Sequence, residues 1–171
     1  MSSLRTRQAG VSIVEALVAL VILSVGMLGI AGLYLTSVQS NRTAQNRTAA
    51  VQLLNDMGDR IRSNHKAMDK YAVTLGSTPP VAGTDCGTAK CTPIQLAAYD
   101  IRALYDNAIN PANTNHVLPN AADGTSPQMG IVYTAGATAA DPARLVITMQ
   151  WKEPGSTDWL SASLEIVQLG S

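Results

Sequence analysis

The chain has 171 residues, enough for one modest globular domain, and its 12 basic and 12 acidic residues give a net charge of zero. This balance provides no overall positive field for DNA, RNA or an anionic lipid surface, so composition disfavours a dedicated nucleic-acid-binding protein. Phe is absent and aromatic residues make up 4% of the chain. We therefore expect a thin core that gains stability from a crosslink or a partner.

The first segment is a short basic leader followed by an apolar run. Arg5 and Arg7 are the only charged residues among the first ten, and residues 16–35 carry no charge. At about 1.5 Å per residue, a helix of that length crosses a hydrocarbon core of about 30 Å. Because basic flanks stay on the cytoplasmic side, the arginines predict that everything after about Val38 is exported.

Glu15 is the one charged residue at the start of this apolar run. A carboxylate near a membrane centre costs about 2–3 kcal/mol or more, and acids within membrane segments usually have partners. Two simpler interpretations are a cleaved secretory signal, with a weak site at Ala31-Gly32, and an uncleaved signal anchor. Neither explains the acid, so the sequence predicts that another group pairs with Glu15.

The stretch from Gly10 to Leu20, GVSIVEALVAL, resembles the class III leader and helix start of type IV prepilins. The shared features are a Gly before the cleaved bond, an apolar first mature residue and an acid at the fifth mature position. Residues 21–33 are similar in particular to minor pilins of the PilV type. Val11 stands where the commonest pattern has Phe, and Gly32 stands where major pilins often have Pro.

The resemblance implies that a prepilin peptidase cuts between Gly10 and Val11 on the cytoplasmic side of the membrane and methylates the new amine of Val11. Glu15 would then form an assembly salt bridge with the amine of a neighbouring subunit when helices stack in a filament. The implied organisation is a cleaved leader at 1–10, a transmembrane or filament-core helix at 11–35, and a periplasmic head at 36–171.

Helical periodicity continues beyond the apolar run. No break signal follows the run up to Ile61. Apolar residues recur at helical spacing, with polar residues between them, at Ala50, Leu54, Met57 and Ile61. This pattern predicts one helix from about Ser12 to Ser63, about 75 Å long. Its first half would be a membrane or filament-core rod, and its second half would pack on the head.

Basic residues are concentrated between positions 42 and 70: Arg42, Arg47, Arg60, Arg62, Lys66 and Lys70. A DNA-binding strip is one interpretation of this cluster. Asp56, Asp59 and Asp69 interrupt it, which favours a solvated helix face instead. No nucleic-acid partner is therefore expected.

Cys86 and Cys91 form a C-x4-C pair in a turn-rich segment. In an exported chain they are expected to form a disulfide, which closes a short loop and contributes about 2 kcal/mol at most. A zinc site that adds His65 and His116 is the rival interpretation, but the spacing is not that of known zinc motifs.

A second, short amphipathic helix is predicted after the cysteines. Thr92 is a suitable N-cap, Pro93 suits the first helical position, and Gln95 would close a capping box. Apolar residues then follow at helical spacing: Ile94, Ala97, Ala98, Ile101, Leu104, Tyr105 and Ile109. The helix is expected to end near Asn110-Pro111.

Alternating residues at the end of the chain predict a small antiparallel sheet. Residues 145–151 and 160–166 read as two strands joined by a hairpin at 152–158, and 129–134 reads as a third strand. Trp151 and Trp159 are predicted to be core and rim residues. The predicted fold is α+β, a pilin-like lollipop in which a long N-terminal helix packs against the sheet.

The sequence contains no G-x-S-x-G, H-E-x-x-H or phosphate-binding Gly loop, so it predicts a structural subunit rather than an enzyme. No cofactor, metal or small-molecule substrate is expected.

The leading hypothesis is a minor pilin for pilus assembly, priming or the tip, with other minor and major pilins as partners. Such a subunit would begin in the inner membrane with a periplasmic head and then enter an extracellular pilus. A type II secretion pseudopilin shares every amino-terminal feature. The alternative from a different class is a signal-anchored periplasmic binding module.

Overall fold

The computed structural model describes residues 12–113, 117–121, 123–138, 141–153 and 156–168. Its elements in chain order are helix α1 (Ile13–Ser63), a 3₁₀ helix (His65–Tyr71), helix α2 (Pro93–Ala108) and strands β1 (Gln128–Thr134), β2 (Ala143–Lys152) and β3 (Trp159–Gln168). The chain forms two compact units, Met1–Arg42 and Thr43–Ser171. The described part of the first unit begins at Ser12 and consists almost entirely of α1.

The second unit, called the head below, has one continuous apolar core. The last part of α1 contributes the face predicted from its periodicity, with Ala50, Leu54, Met57 and Ile61 all buried. Gly58 lies on the same face, and a Cβ placed there would come within 2.8 Å of Leu164 Cδ2. The absence of a side chain at Gly58 therefore allows β3 to pack closely on the helix.

The sheet has the strand order β1-β2-β3, and both pairs are antiparallel. Ile131 of β1 lies opposite Ile147 of β2, which in turn lies opposite Leu164 of β3. The inner row of β2 is almost completely buried: Leu145, Ile147, Met149 and Trp151. Trp159 is 39% exposed, so the predicted division between a core and a rim tryptophan is confirmed.

Helix α2 begins as predicted. The Thr92 hydroxyl accepts a hydrogen bond from the Gln95 backbone N–H, and the Gln95 side chain accepts one from the Thr92 N–H at 2.9 Å. The assignment of Ile94 to the apolar face is wrong, because Ile94 is 59% exposed. It lies in the first turn, and the buried face begins one turn later at Ala97.

The 3₁₀ helix is the element that the sequence did not predict. It follows α1 directly and buries Ala67, Met68 and Tyr71. Its length of seven residues is too short for a helical period to be visible. The long helix, the short second helix and the three-stranded sheet confirm the predicted pilin-like α+β fold.

Candidate processing and assembly segment

The apolar part of α1 exposes all of its large side chains. From Ile13 to Leu35, these side chains are 52% to 80% exposed. By length and composition, the helix is apolar enough to cross a membrane, a test that a signal sequence near the N-terminus would also pass. An apolar surface of this extent requires lipid or other helices to cover it.

Glu15 lies in the first turn of this helix and is exposed. It is the only charged residue from Ser12 to Asn41. In contrast, the hydroxyls of Ser24 and Thr36 donate within the helix, to Val21 O at 2.8 Å and Gly32 O at 3.1 Å. Glu15 has no hydrogen-bond or ion-pair partner in the described part of the chain, so this carboxylate is open to an external cation.

The other predicted processing residues fall outside the described part of the chain. These are Arg5 and Arg7 of the leader, and Gly10 and Val11 at the predicted cleavage site. Cleavage, methylation and the salt bridge to a neighbouring amine therefore stay predictions.

Cys86 and Cys91 form a disulfide, with their Cα atoms 5.6 Å apart. Asp85 directly precedes this loop, and its carboxylate accepts hydrogen bonds from the Gly87 N–H at 2.9 Å and the Thr88 hydroxyl at 3.2 Å. Because both sulfurs are used in the disulfide, they are not available as the ligands that the zinc hypothesis required. His65 is exposed at the start of the 3₁₀ helix, and His116 lies outside the described residues.

A buried polar array joins the end of α1, the 3₁₀ helix and α2. Asp100 and Asn64 are 4% and 6% exposed, and Tyr71 is fully buried. The Tyr71 hydroxyl donates to Asp100 Oδ2 at 2.8 Å and accepts from Asn64 Nδ2 at 3.1 Å. Arg60 Nη1 donates to Asp100 Oδ1 at 3.0 Å, so the buried carboxylate is both hydrogen-bonded and charge-paired.

The array also fixes the start of α2, because Asn64 Nδ2 donates to the Pro93 carbonyl at 2.8 Å. Burial raises the pKa of the Tyr71 phenol well above its usual value, and the neighbouring Asp100 carboxylate raises it further. The phenol therefore remains protonated and acts as a fixed donor to Asp100.

Sequence reasoning missed this array, although part of its signal was present. Asp100 lies between Ala97 and Ile101 on the apolar face of α2, where an acid requires a buried partner. Its partner Arg60 is 40 residues away in the chain, and no local spacing links the two.

A second polar contact ties the β2–β3 hairpin to α1 within the head. Asn46 Nδ2 donates to both carboxylate oxygens of Glu153, at 3.0 Å and 3.2 Å. Trp151 Nε1 donates to the same carboxylate at 3.0 Å. This contact satisfies the indole N–H of the buried tryptophan.

The basic cluster of α1 and the 3₁₀ helix contains three paired members. Arg60 contacts Asp56 and Asp100, Arg62 contacts Asp59, and Lys70 contacts Asp69. Arg42, Arg47 and Lys66 are exposed. These positions describe a helix surface with mixed charges rather than a continuous positive strip.

A groove of about 460 Å³ lies between residues 81–85 and α2, and it is open to solvent. Its charged wall residues are already engaged: Arg102 Nε donates to Asp106 at 2.8 Å, and its Nη1 donates to the Pro79 carbonyl at 3.2 Å. An open groove with bonded charged groups offers little to recognise a small molecule.

Two protein-family models match adjoining parts of the chain. The prokaryotic N-terminal methylation motif matches residues 5–31, which include the predicted cleavage site and Glu15. A model described as Tt1218-like, type IV pilin Tt1218, matches residues 32–102, which include all four residues of the polar array. No curated protein and no solved structure is significantly similar to the chain.

The matched ranges correspond to distinct parts of the structure. The methylation motif matches the first part of α1, where the described apolar side chains are exposed. The pilin model matches the rest of α1, the 3₁₀ helix, the disulfide loop and the start of α2. Together the two models support a pilin structural subunit, and the methylation motif implies processing by a prepilin peptidase and assembly with other pilins. The chain belongs to the type IV prepilin family.

Proposed function

We propose that this chain is a minor pilin of the PilV type, which acts in the assembly, priming or tip of a type IV pilus. The observation that carries the proposal is Glu15, a lone carboxylate in the first turn of an otherwise uncharged and exposed apolar helix. The match to the methylation motif supports processing at the residues just before it.

Cleavage after Gly10 would create an α-amine on Val11, four residues before Glu15. The amine and the carboxylate are each costly in a low-dielectric filament core, and each offsets that cost when paired with the other on a neighbouring subunit. Because the apolar surface alone has no fixed register, this pair would set how far one helix is displaced along the next. Methylation would keep the charge of the Val11 amine.

The head fits a structural role. Its polar array, its disulfide and the contact of Asn46 with Glu153 all join elements within the head. We infer that the chain is not an enzyme and that it needs no cofactor or small-molecule substrate. It would begin as an inner-membrane protein with a periplasmic head and then enter the pilus with other minor and major pilins.

Mass spectrometry of the mature amino terminus tests this proposal. We expect a chain that begins at a methylated Val11. The Gly10→Leu variant should remain a full-length precursor in the inner membrane, whereas Ala9→Ser, which alters the leader next to the cleaved bond, should be processed. A mature chain that begins at Met1, or beyond Gly32, would contradict the pilin proposal.

A type II secretion pseudopilin is the nearest alternative, because it shares the features of the amino-terminal segment. Deletion of the gene distinguishes the two: loss of surface pili with normal secretion supports the pilus subunit, and loss of secretion with normal pili supports the pseudopilin. A signal-anchored binding module predicts instead an uncleaved chain that is indifferent to substitution of Glu15.

A further inference from the structure

The two edges of the sheet differ in how their backbone groups are used. On the β1 side, the Ile131 N–H donates to the Val73 carbonyl at 2.8 Å, and the Ile131 carbonyl accepts from the Val73 N–H at 2.9 Å. Both polar backbone groups of Ile131 therefore point away from β2. In an antiparallel ladder this makes Ile131 and Ile147 a pair without mutual hydrogen bonds.

The direction of every other backbone group in the sheet follows from this pair. Because successive residues alternate, the N–H and C=O of Ile147 point toward β3 and bond with Leu164. The backbone N–H and C=O groups of the residues on either side of Leu164 then point away from β2. This alternation holds along the whole strand, because the pairing of β2 with β3 is uninterrupted. The outward residues of β3 are Ser161, Ser163, Glu165 and Val167.

These four residues form an open edge. Within the described residues, no backbone group pairs with them on the outer side of β3. In contrast, the outer edge of β1 is covered by the segment after the 3₁₀ helix, through Val73 and through the Gly76 N–H, which donates to Met129 O at 3.2 Å. The strand β3 also contains no Pro or Lys, two of the residues that commonly protect an edge strand.

Burial falls across the sheet toward this same edge. The inner row of β2 is at most 1% exposed, but Leu160, Ala162 and Leu164 of β3 are only half-buried. The apolar layer between the sheet and α1 is thus incompletely covered at β3. One more strand would supply side chains at every second position to cover it.

We propose that the open edge of β3 is a strand-addition surface for an extended segment of a neighbouring pilin subunit. The outward groups span residues 161–167, so the segment would need about seven residues. It would alternate apolar residues, facing α1, with polar ones. Since Glu165 is paired with Arg144 at 3.0 Å, the edge carries no unpaired charge and favours a neutral segment. This inference rests on the proposed function, which supplies the neighbouring subunit.

Hydrogen exchange at single-residue resolution tests the proposal. The full chain in detergent is compared with the chain assembled with the pilins of its host. We expect the amides of Ser161, Ser163, Glu165 and Val167 to exchange at least about tenfold more slowly in the assembly. The intervening amides of β3, from Leu160 to Ile166, bond with β2 and should be protected in both samples, which makes them an internal control.

A matched pair of variants adds a functional measurement. Ser163→Pro removes an outward N–H but no β2–β3 hydrogen bond, so the head should fold while incorporation into filaments falls at least about tenfold. Ser163→Ala keeps the N–H and should incorporate normally. If Ser163→Pro does not fold, the hydrogen-exchange measurement alone tests strand addition.

The outcomes separate this inference from the proposed function. A chain that is processed and assembled, but leaves the four amides unprotected, overturns strand addition and leaves the pilin role intact. A chain that is neither processed nor assembled overturns both.

Discussion

The apolar segment of α1 and the head arrange their apolar and charged residues in opposite ways. From Ile13 to Leu35 the apolar side chains face outward, and the single carboxylate has no partner in the described part of the chain. In the head the apolar residues face inward, and the buried carboxylate of Asp100 has two partners. The head thus satisfies most of its own groups, whereas the described part of the first segment leaves its apolar surface and its carboxylate exposed.

The largest effect is expected from Glu15→Ala, which removes the unpaired carboxylate of the helix. Assembly should be lost, with filament incorporation at least about tenfold lower, because the Val11 amine of a neighbour would be buried without a counter-charge. Quantitative immunoblots of sheared filaments measure this loss. Asp59→Ala removes an exposed acid of the head and should assemble normally, and assembly of Glu15→Ala at the normal level would refute the pairing.

The next effect concerns the head. Asp100→Ala leaves the Tyr71 hydroxyl and Arg60 Nη1 without their acceptor, so the free energy of unfolding should fall by about 2–4 kcal/mol. Asp100→Asn keeps an acceptor and should lose less. Urea unfolding monitored by circular dichroism gives both values, and a change below about 0.5 kcal/mol for Asp100→Ala would show that the array does not stabilise the head.

Removing the disulfide should have a smaller effect. Replacing Cys86 and Cys91 by Ser should reduce stability by about 2 kcal/mol at most, because the loop that it closes is short. The capping box of α2 stays in place, so we expect α2 to keep its helical circular dichroism. Thermal unfolding of the double variant, compared with the reduced and oxidised native chain, checks this. A complete loss of folding would mean that the disulfide does more than hold the loop.

The smallest effect is a pH dependence. The folded-state pKa of Tyr71 is raised, so its contribution to stability is complete below its ordinary value of about 10 and is lost as the pH rises above that value. Unfolding midpoints are measured between about pH 8 and about pH 11, the alkaline range in which phenols titrate. As the pH rises, the midpoint should fall more steeply for the native chain than for Tyr71→Phe. Equal slopes would show that the phenol does not contribute.

The sequence predicted much of the fold because several of its signals are local. Thr92, Pro93 and Gln95 define the start of α2 within four residues, and the alternation from Leu145 to Trp151 defines the buried face of β2. The 3₁₀ helix was missed because seven residues are too few to show a helical period. Ile94 was misassigned because helical spacing does not state where the buried face begins.

The sequence by itself determined the character of the amino-terminal segment. The two arginines, the predicted cleavage site at Gly10-Val11, Glu15 and the uncharged run lie close together in the chain, so the prediction drawn from them depends on sequence neighbours rather than on packing. Only the tertiary structure decided that Asp100 meets Arg60 and Tyr71, and that β1 has a covered edge while β3 has an open one. These features depend on residues that are distant in sequence, and their positions are set by how helices and strands pack.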